Sequence, residues 1–329
     1  MRPPEEIKGI DLQTVDWNVE YDVIRTLQGE GHELNVIEVE EDLIEIHKIV
    51  DTWKPHVAFN LLEAFRGISL FDQNVVSYLE LLDVPYTGCN PRGLMVARHK
   101  ALAKKILAYH GVLTPPFELF RKNLQVSRPK DFPFPIFVKS VREEASLGIS
   151  EKSIVTSDKE LEERVHYIHE KIGTNAIAEA YIEGRELYVG VLGNQRLETL
   201  PVWELYFQKD YKLPKIATET VKFNPKFRKK HGIDSGEAKN LPEGIGSSAQ
   251  EISKQAYRLL GLNGYARIDF RVSEDGKLYL LEANPNPHLA KSEDFARAAE
   301  KTGLSYADLL WKIILLGVRW KPEEFSMAM

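Results

Sequence analysis

The segment at residues 266–288, ARIDFRVSEDGKLYLLEANPNPH, restricts the fold of this chain more than any other stretch. Ile268, Phe270 and Val272 recur at every second position, the period of a strand with one buried face. Asp275-Gly276 is a reversal signal before residues 277–283 run back. The spacing predicts an antiparallel hairpin, with Arg267 and Asp269 on the face opposite the apolar one. Whether the loop takes two residues or four, odd positions oppose even ones, so Asp269 shares its face with Glu282 and Asn284.

Two carboxylates and an amide oxygen held within one cross-strand step suit a small hard cation with oxygen ligands, and magnesium fits that description. Arg267 is costly beside a lone metal but sensible beside a metal-bound polyphosphate, whose charge the guanidinium and the ion then share. The same residues also describe a hairpin with one solvated charged face. The position of Glu282 at the end of the apolar run 278–281 favours a site.

With 329 residues, 43% of them hydrophobic and 28% charged, the chain has room for two or three subdomain cores. A net charge of -6 argues against nucleic acid as a partner, although residues 226–231 (KFRKKH) form a basic run that is either a solvated turn or a phosphate-facing surface. Cys89 is the only cysteine, which excludes an internal disulfide and leads us to expect a reducing, cytoplasmic compartment with no secretory leader. The longest apolar segment, 309–318, is interrupted by Lys312 and too short to cross a bilayer. It is predicted to be a C-terminal helix on a core, and no membrane partner is expected.

Taken in order, helices are predicted over 18–28, 41–52 and 72–82, with strands at 33–39, 56–60 and 85–87. This alternation implies a parallel α/β layer. Residues 1–15 have too few apolar positions for a central buried strand, so the layer is expected to lack its opening strand and to begin at 33–39. No GxGxxG turn follows any of these strands, and a Rossmann dinucleotide site is unsupported. Further on, a helix over 100–110 precedes strands at 117–120, 135–139 and 154, a helix over 158–170, and strands at 176–182 and 185–192. His166 and His169 lie one turn apart but have no third ligand nearby, and read as a solvated face rather than a metal site. Residues 204–242 lack clear periodicity and read as a long lid loop, followed by a helix over 247–260, the hairpin and two closing helices.

The order of these signals resembles the ATP-grasp superfamily, and within it the D-alanine–D-alanine ligase family. The likeness rests on Lys100 at a helix start, FVKS with Lys139, a Ser/Gly loop with Ser146 and Gly148, AEAYIEGRE, Lys222 in a long loop, then RIDF and LLEANPNP. It covers residues 55–289, and LELLDVPYTGC in the first unit is also similar. The resemblance implies an α/β (α+β) fold of three subdomains, at 1–97, 98–183 and 184–329, with the nucleotide between two sheets and a lid at 204–242. It further implies that Lys100 and Lys139 reach phosphates and base edge, and that Ser146 and Gly148 cap the phosphates. Glu179, Tyr181 and Ile182 correspond to the adenine-reading linker, and Glu186 to the ribose-holding carboxylate. Asp269, Glu282 and Asn284 would hold two magnesium ions, with manganese as a substitute, while Arg267 and Lys222 act on the transferred phosphoryl group. The implied reaction joins a small-molecule carboxylate to an amine through an acyl phosphate, in a protein for which a homodimer is admissible.

Departures from the family pattern fall on the amino-acid side. Ala145 replaces one of the paired serines and Phe223 a tyrosine, while Asn284-Pro285-Asn286-Pro287-His288 stands where NxSPG is usual. The glycine-rich, glutamate-containing opening motif is absent, with Glu20 and Asp22 the nearest acidic candidates for a substrate amine. Ligation of another amino acid, peptide or amine is therefore one alternative to D-alanine use, and a nucleotide-binding regulator without activity is another. Retention of Asp269, Glu282, Asn284, Arg267 and Lys222 together argues against the regulator.

Overall fold

The computed structural model describes residues 3–4, 15–142, 146–208, 211 and 213–322. Helices α1 (Asn18–Gly29), α2 (Ile44–Trp53), α3 (Asp72–Leu81), α4 (Pro91–Arg98) and α5 (Lys100–Tyr109) make up the first part of the chain. The expected parallel layer between them does not form as a sheet. Among the described residues, 33–39 contains no strand, and residues 56–60 and 85–87 meet in a single parallel bridge, Ala58 to Tyr86. A buried-strand pattern needs a neighbour on each side to satisfy its backbone. Here the segments at 33–39 and 56–60 instead line one cavity of about 1240 Å³, with Val36 and Val39 from the first and Val57 and Phe59 from the second. Residues 1–2 and 5–14, which bear on the opening strand, lie outside the described residues.

A four-stranded antiparallel sheet follows, in the order β1 (Phe117–Phe120), β4 (Ala176–Ala180), β2 (Ile136–Ser140), β3 (Ile154–Val155). Helix α6 (Asp158–Tyr167), capped by Ser157, packs Leu161 and Val165 on Ile136 and Val138 and continues into a π-helical turn, Ile168–Ile172. On that turn His169 is buried with its Nε2 3.0 Å from the Phe120 carbonyl oxygen, whereas His166 is exposed. The expectation of one solvated histidine face is thus corrected: π-helical winding turns His169 inward onto its backbone partner and leaves His166 exposed.

The larger sheet has six strands. Its path runs β10 (Leu278–Asn284), β9 (Tyr265–Ser273), β5 (Gly184–Leu192), β7 (Trp203–Tyr206), β8 (Asp234–Glu237), and β6 (Glu198–Thr199) pairs with β5. Leu187, Val189 and Val191 of β5 join Ile268, Phe270 and Val272 of β9 in one core with Ala249, Ala256 and Tyr257 of α9 (Ile245–Leu259). Each such side chain contributes about 1.5–3 kcal/mol on burial. The opposite face carries the polar positions and, at its end, α10 (Asp294–Glu300) and α11 (Tyr306–Arg319), whose Leu309, Leu310 and Ile313 are fully buried. No helix among the described residues is long and apolar enough to cross a membrane.

The segment at 204–242, expected to be a structureless loop, contains β7, β8 and two short helices, α7 (Glu219–Phe223) and α8 (Pro225–His231). Thr218 accepts from the Val221 N–H, and Asn224, followed by Pro225, accepts from the Phe227 N–H, so each helix has its own N-cap. The basic run 226–231 is the second of these helices, with Arg228 3.7 Å from Asp234.

Candidate active site

The hairpin of β9 and β10 sets the geometry, by a route that differs from the expected one. Its turn closes with the Ser273 N–H donating to the Lys277 carbonyl at 3.0 Å, leaving three residues in the loop, with Gly276 at φ +76°. Val272 therefore opposes Leu278, and Phe270 opposes Leu280, pairing even with even positions. A bulge between Leu280 and Glu282 inserts one residue and restores the offset, so that Glu282 opposes Asp269 and Asn284 opposes Arg267. On the neighbouring strand β5, Tyr188 opposes Asp269 and Glu186 opposes Arg271. The polar residues thus lie on one face of three adjacent strands.

Electrostatics bind this face together. Arg267 forks onto Asp269 at 2.7 and 2.8 Å, and its guanidinium carbon lies 4.6 Å from the Tyr188 ring centroid. Burial pushes the Asp269 carboxyl up, opposed by Arg267, and the net direction is upward. Burial also raises the Glu282 carboxyl, but the charges of Lys100, Lys139, Lys222 and Arg267 outweigh it and hold Glu282 well below the usual carboxylate range. Lys100 and Lys139 lie 3.6 and 3.8 Å from its Oε2. Lys222 is pushed below the usual lysine value by burial and then by Arg267.

Helix α5 brings two lysines to the site because they are four residues apart and share a face. His99 Nδ1 accepts from the Leu102 N–H to start the helix, placing Lys100 at its first position against Glu282. Lys104, one turn on, reaches Glu179 of β4 at 3.3 Å, and Lys139 of β2 reaches the same carboxylate oxygen at 3.4 Å. Burial lowers Lys139, but Glu179 and Glu282 outweigh it and the net shift is upward.

The loop before β3 is tied to the segment at 204–242. Ser146 Oγ donates to the Ala217 carbonyl at 2.7 Å, the Gly148 N–H to Glu219 Oε2 at 3.2 Å, and the Glu219 N–H to the Ile149 carbonyl at 3.2 Å. Ser146 and Gly148 both have positive φ, 60° and 72°, and a Cβ at Gly148 would sit 2.9 Å from Ile172. Ala145 and the side chain of Phe223 lie outside the described residues.

A cleft between the two sheets collects Lys139, Ser146, Glu179, Tyr181, Ile182, Glu186, Lys222, Asp269 and Glu282. Lys100, Arg267 and Asn284 line the adjoining large cavity, which Lys222 and Glu282 also reach. Gly148 lines neither and stands where its loop meets Glu219. Sequence reasoning missed Lys104, which helical spacing from Lys100 signals, and Arg271, which strand alternation places beside Arg267 and Asp269. The donor set suits a hard cation: two carboxylates and an amide on one rigid face, with no group of three or more His, Cys, Asp or Glu side chains converging among the described residues. In the cleft the buried Glu179 Oε1 is shared by two ammonium groups, Lys104 and Lys139, with no other side chain among the described residues near enough to pair with it.

Residues 104–315 match the family model described as D-ala D-ala ligase C-terminus. The D-alanine–D-alanine ligase of Aquifex aeolicus is 31% identical over 293 residues, covering 89% of this chain and 92% of that protein. An uncharacterized protein, y4sG of Sinorhizobium fredii, is 30% identical over 300 residues, covering 88% and 84%. In structure, the D-alanine–D-alanine ligase of Bacillus anthracis, solved with ATP, superposes with a TM-score of 0.74 at 24% identity over 92% of this chain and 91% of that one. The VanG D-Ala:D-Ser ligase of Enterococcus faecalis gives a TM-score of 0.62 at 22% identity over 79% and 72%. With an ATP-grasp fold and a family match over most of its length, the chain belongs to the D-alanine–D-alanine ligase family and is an ATP-dependent ligase of that type.

Proposed function

We propose that this ligase joins a carboxylate to an amine in the cleft between its two sheets, and that its amino-acid substrates differ from D-alanine. The observation that carries the reading is the convergence of Lys100, Lys139, Lys222 and Arg267 on the Glu282–Asp269 face. With ATP and two magnesium ions bound, the substrate carboxylate would take the γ-phosphoryl group and release ADP, and the amine would then attack the acyl carbon of the resulting acyl phosphate, expelling phosphate and forming the amide. Asp269, Glu282 and Asn284 would hold the ions. Asn284 is oriented for this by the Asn286 N–H, which donates to its Oδ1 at 2.9 Å. Arg267 and Lys222 neutralise the charge on the moving group, and the shared burial of this face strengthens each interaction.

Lys139 and Lys100 orient phosphates, Ser146 and Gly148 present the loop that covers them, and the lid joined to that loop excludes water. Glu179, Tyr181 and Ile182 read the base and Glu186 the sugar. In this reading residues 1–97, 98–183 and 184–329 are the three subdomains, and the carboxylate and amine are small molecules. A reducing, cytoplasmic setting fits the lone buried Cys89. Both a monomer and a homodimer accommodate this arrangement.

The substrate reading rests on His288, which lines the cavity beside Asn284, Asn286, Lys222 and Arg267. Its Nδ1 is buried and makes no hydrogen bond among the described residues, which leaves a polar position of the ring unsatisfied beside the cavity. An imidazole where the family places glycine crowds the approach of a small substrate carboxylate to backbone N–H groups. Magnesium-dependent ADP release over a panel of D- and L-amino acids and dipeptides tests this. Turnover with a larger or differently charged acceptor and little with D-alanine is expected, whereas efficient turnover with D-alanine alone overturns it.

A further inference from the structure

Arg271 lies on β9 two residues before its end, only 4% exposed, and its guanidinium joins three parts of the cleft between the sheets. Nη2 donates to Glu186 Oε2 of β5 and, at 3.0 Å, to the backbone carbonyl of Lys215 in the lid segment. Nη1 donates to the Ile182 carbonyl at 3.3 Å and to the Tyr181 hydroxyl at 3.4 Å. The other carboxylate oxygen of Glu186 accepts from the Tyr188 hydroxyl at 2.9 Å. Both oxygens of Glu186 are therefore fixed in direction, yet a carboxylate has about four acceptor positions and retains capacity for two hydroxyl donors. A rigid fork of five donors can serve strand, linker and lid at once, which an ammonium cannot.

We propose that Arg271 is a positioning residue for the nucleotide, aiming Glu186 at the ribose hydroxyls and tying the base-reading linker at Tyr181 and Ile182 to the lid at Lys215. Sugar recognition and lid position are then set by one side chain. This inference rests on the placement of the nucleotide in the cleft given under Proposed function. A buried arginine that merely neutralised Glu186 would need one contact, whereas two of the four groups Arg271 touches are backbone carbonyls of the linker and the lid.

The test is calorimetric binding of magnesium-ATP, 2′-deoxyATP and 3′-deoxyATP to the wild type, Arg271→Met, Arg271→Lys and Lys139→Ala, with limited proteolysis of the lid in parallel. The wild type is expected to prefer ATP over at least one deoxy analogue by about tenfold, the scale of one hydrogen bond to a charged group. Arg271→Met is expected to weaken ATP by about tenfold or more, to reduce the sugar preference below about threefold, and to speed cleavage within 213–218 when ATP is present. Arg271→Lys keeps the charge but cannot span the three sites, so the same loss of sugar preference is expected if the methionine variant does not fold. Undiminished sugar preference in a folded Arg271 variant, or no preference in the wild type, overturns the inference. Loss of ATP binding in Lys139→Ala beside unchanged Arg271 variants overturns this inference alone, while intact binding in Lys139→Ala overturns the nucleotide placement as well.

Discussion

Lys104 Nζ lies 3.3 Å from Glu179 Oε1, with both side chains at most 3% exposed, and Lys139 Nζ approaches the same oxygen at 3.4 Å. One carboxylate thus answers two buried ammonium groups. The two lysines respond differently. Burial pushes Lys104 down to about 8, with Glu179 opposing and Lys139 adding to the fall, while Lys139 gains enough from Glu179 and Glu282 to move upward.

A pH signature follows from Lys104. Its folded value of about 8 lies below the ordinary 10.5, so below pH 8 both states hold the proton and the cost of burying the charge is present in full. Between about pH 8 and 10.5 the unfolded chain binds more protons, and stability rises with pH. Denaturant unfolding of wild type and Lys104→Met should show the wild type gaining up to about 3 kcal/mol relative to the variant across that window. A pH-independent difference would count against a depressed Lys104.

Glu282→Gln keeps the shape of the side chain but removes the charge that four cations face. Turnover is expected to fall at least about a hundredfold, on the order of 3 kcal/mol in the barrier. Magnesium-dependent ADP formation unchanged in Glu282→Gln or Asp269→Asn would remove the metal-face assignment.

Arg98 at the end of α4 meets Asp72 at the start of α3 at 2.5 Å, with both side chains 2% exposed. Removing the carboxylate takes the close counter-charge from a buried guanidinium, so Asp72→Ala is expected to cost about 3–5 kcal/mol. Chemical denaturation measures it directly, and a loss under about 1 kcal/mol would show that the pair contributes little.

For the acceptor side, steady-state kcat/KM with D-alanine is expected below about 10⁴ M⁻¹s⁻¹, the lower end for efficient enzymes. His288→Gly should relax the preference for a larger acceptor by about tenfold or more, within the range of size discrimination by a pocket. D-alanine turnover above that threshold in the wild type contradicts the reading.

Legibility tracked how local each determinant is. The hairpin, α5, β2 and β4 carry their periodicity within a few residues, and the side chains of the charged cleft follow from it. Residues 33–39 have the apolar content of a strand but no partner strand among the described residues, and pairing is a property of two segments. Helices α7 and α8 had readable caps at Thr218 and at Asn224-Pro225, but each is too short to show a helical period. His169 was misread because helical spacing assumes 3.6 residues per turn, and the π-helical turn at Ile168–Ile172 breaks it. Arg271 and Lys104 were missed because each meets its partners across elements far apart in sequence.

The extra residue between Leu280 and Glu282 makes the site depend on counting. Were β10 regular, Leu281 would oppose Asp269, and Glu282 would turn toward the apolar core. The face that gathers Asp269, Glu282 and Asn284 is therefore encoded in the parity of the distance from Gly276 to Glu282, a quantity that no single side chain carries. Within residues 277–281 the core asks only that Leu278 and Leu280 stay apolar, but loss or gain of one residue there inverts the face. The strand thus tolerates exchange of one apolar side chain for another and does not tolerate a change of length.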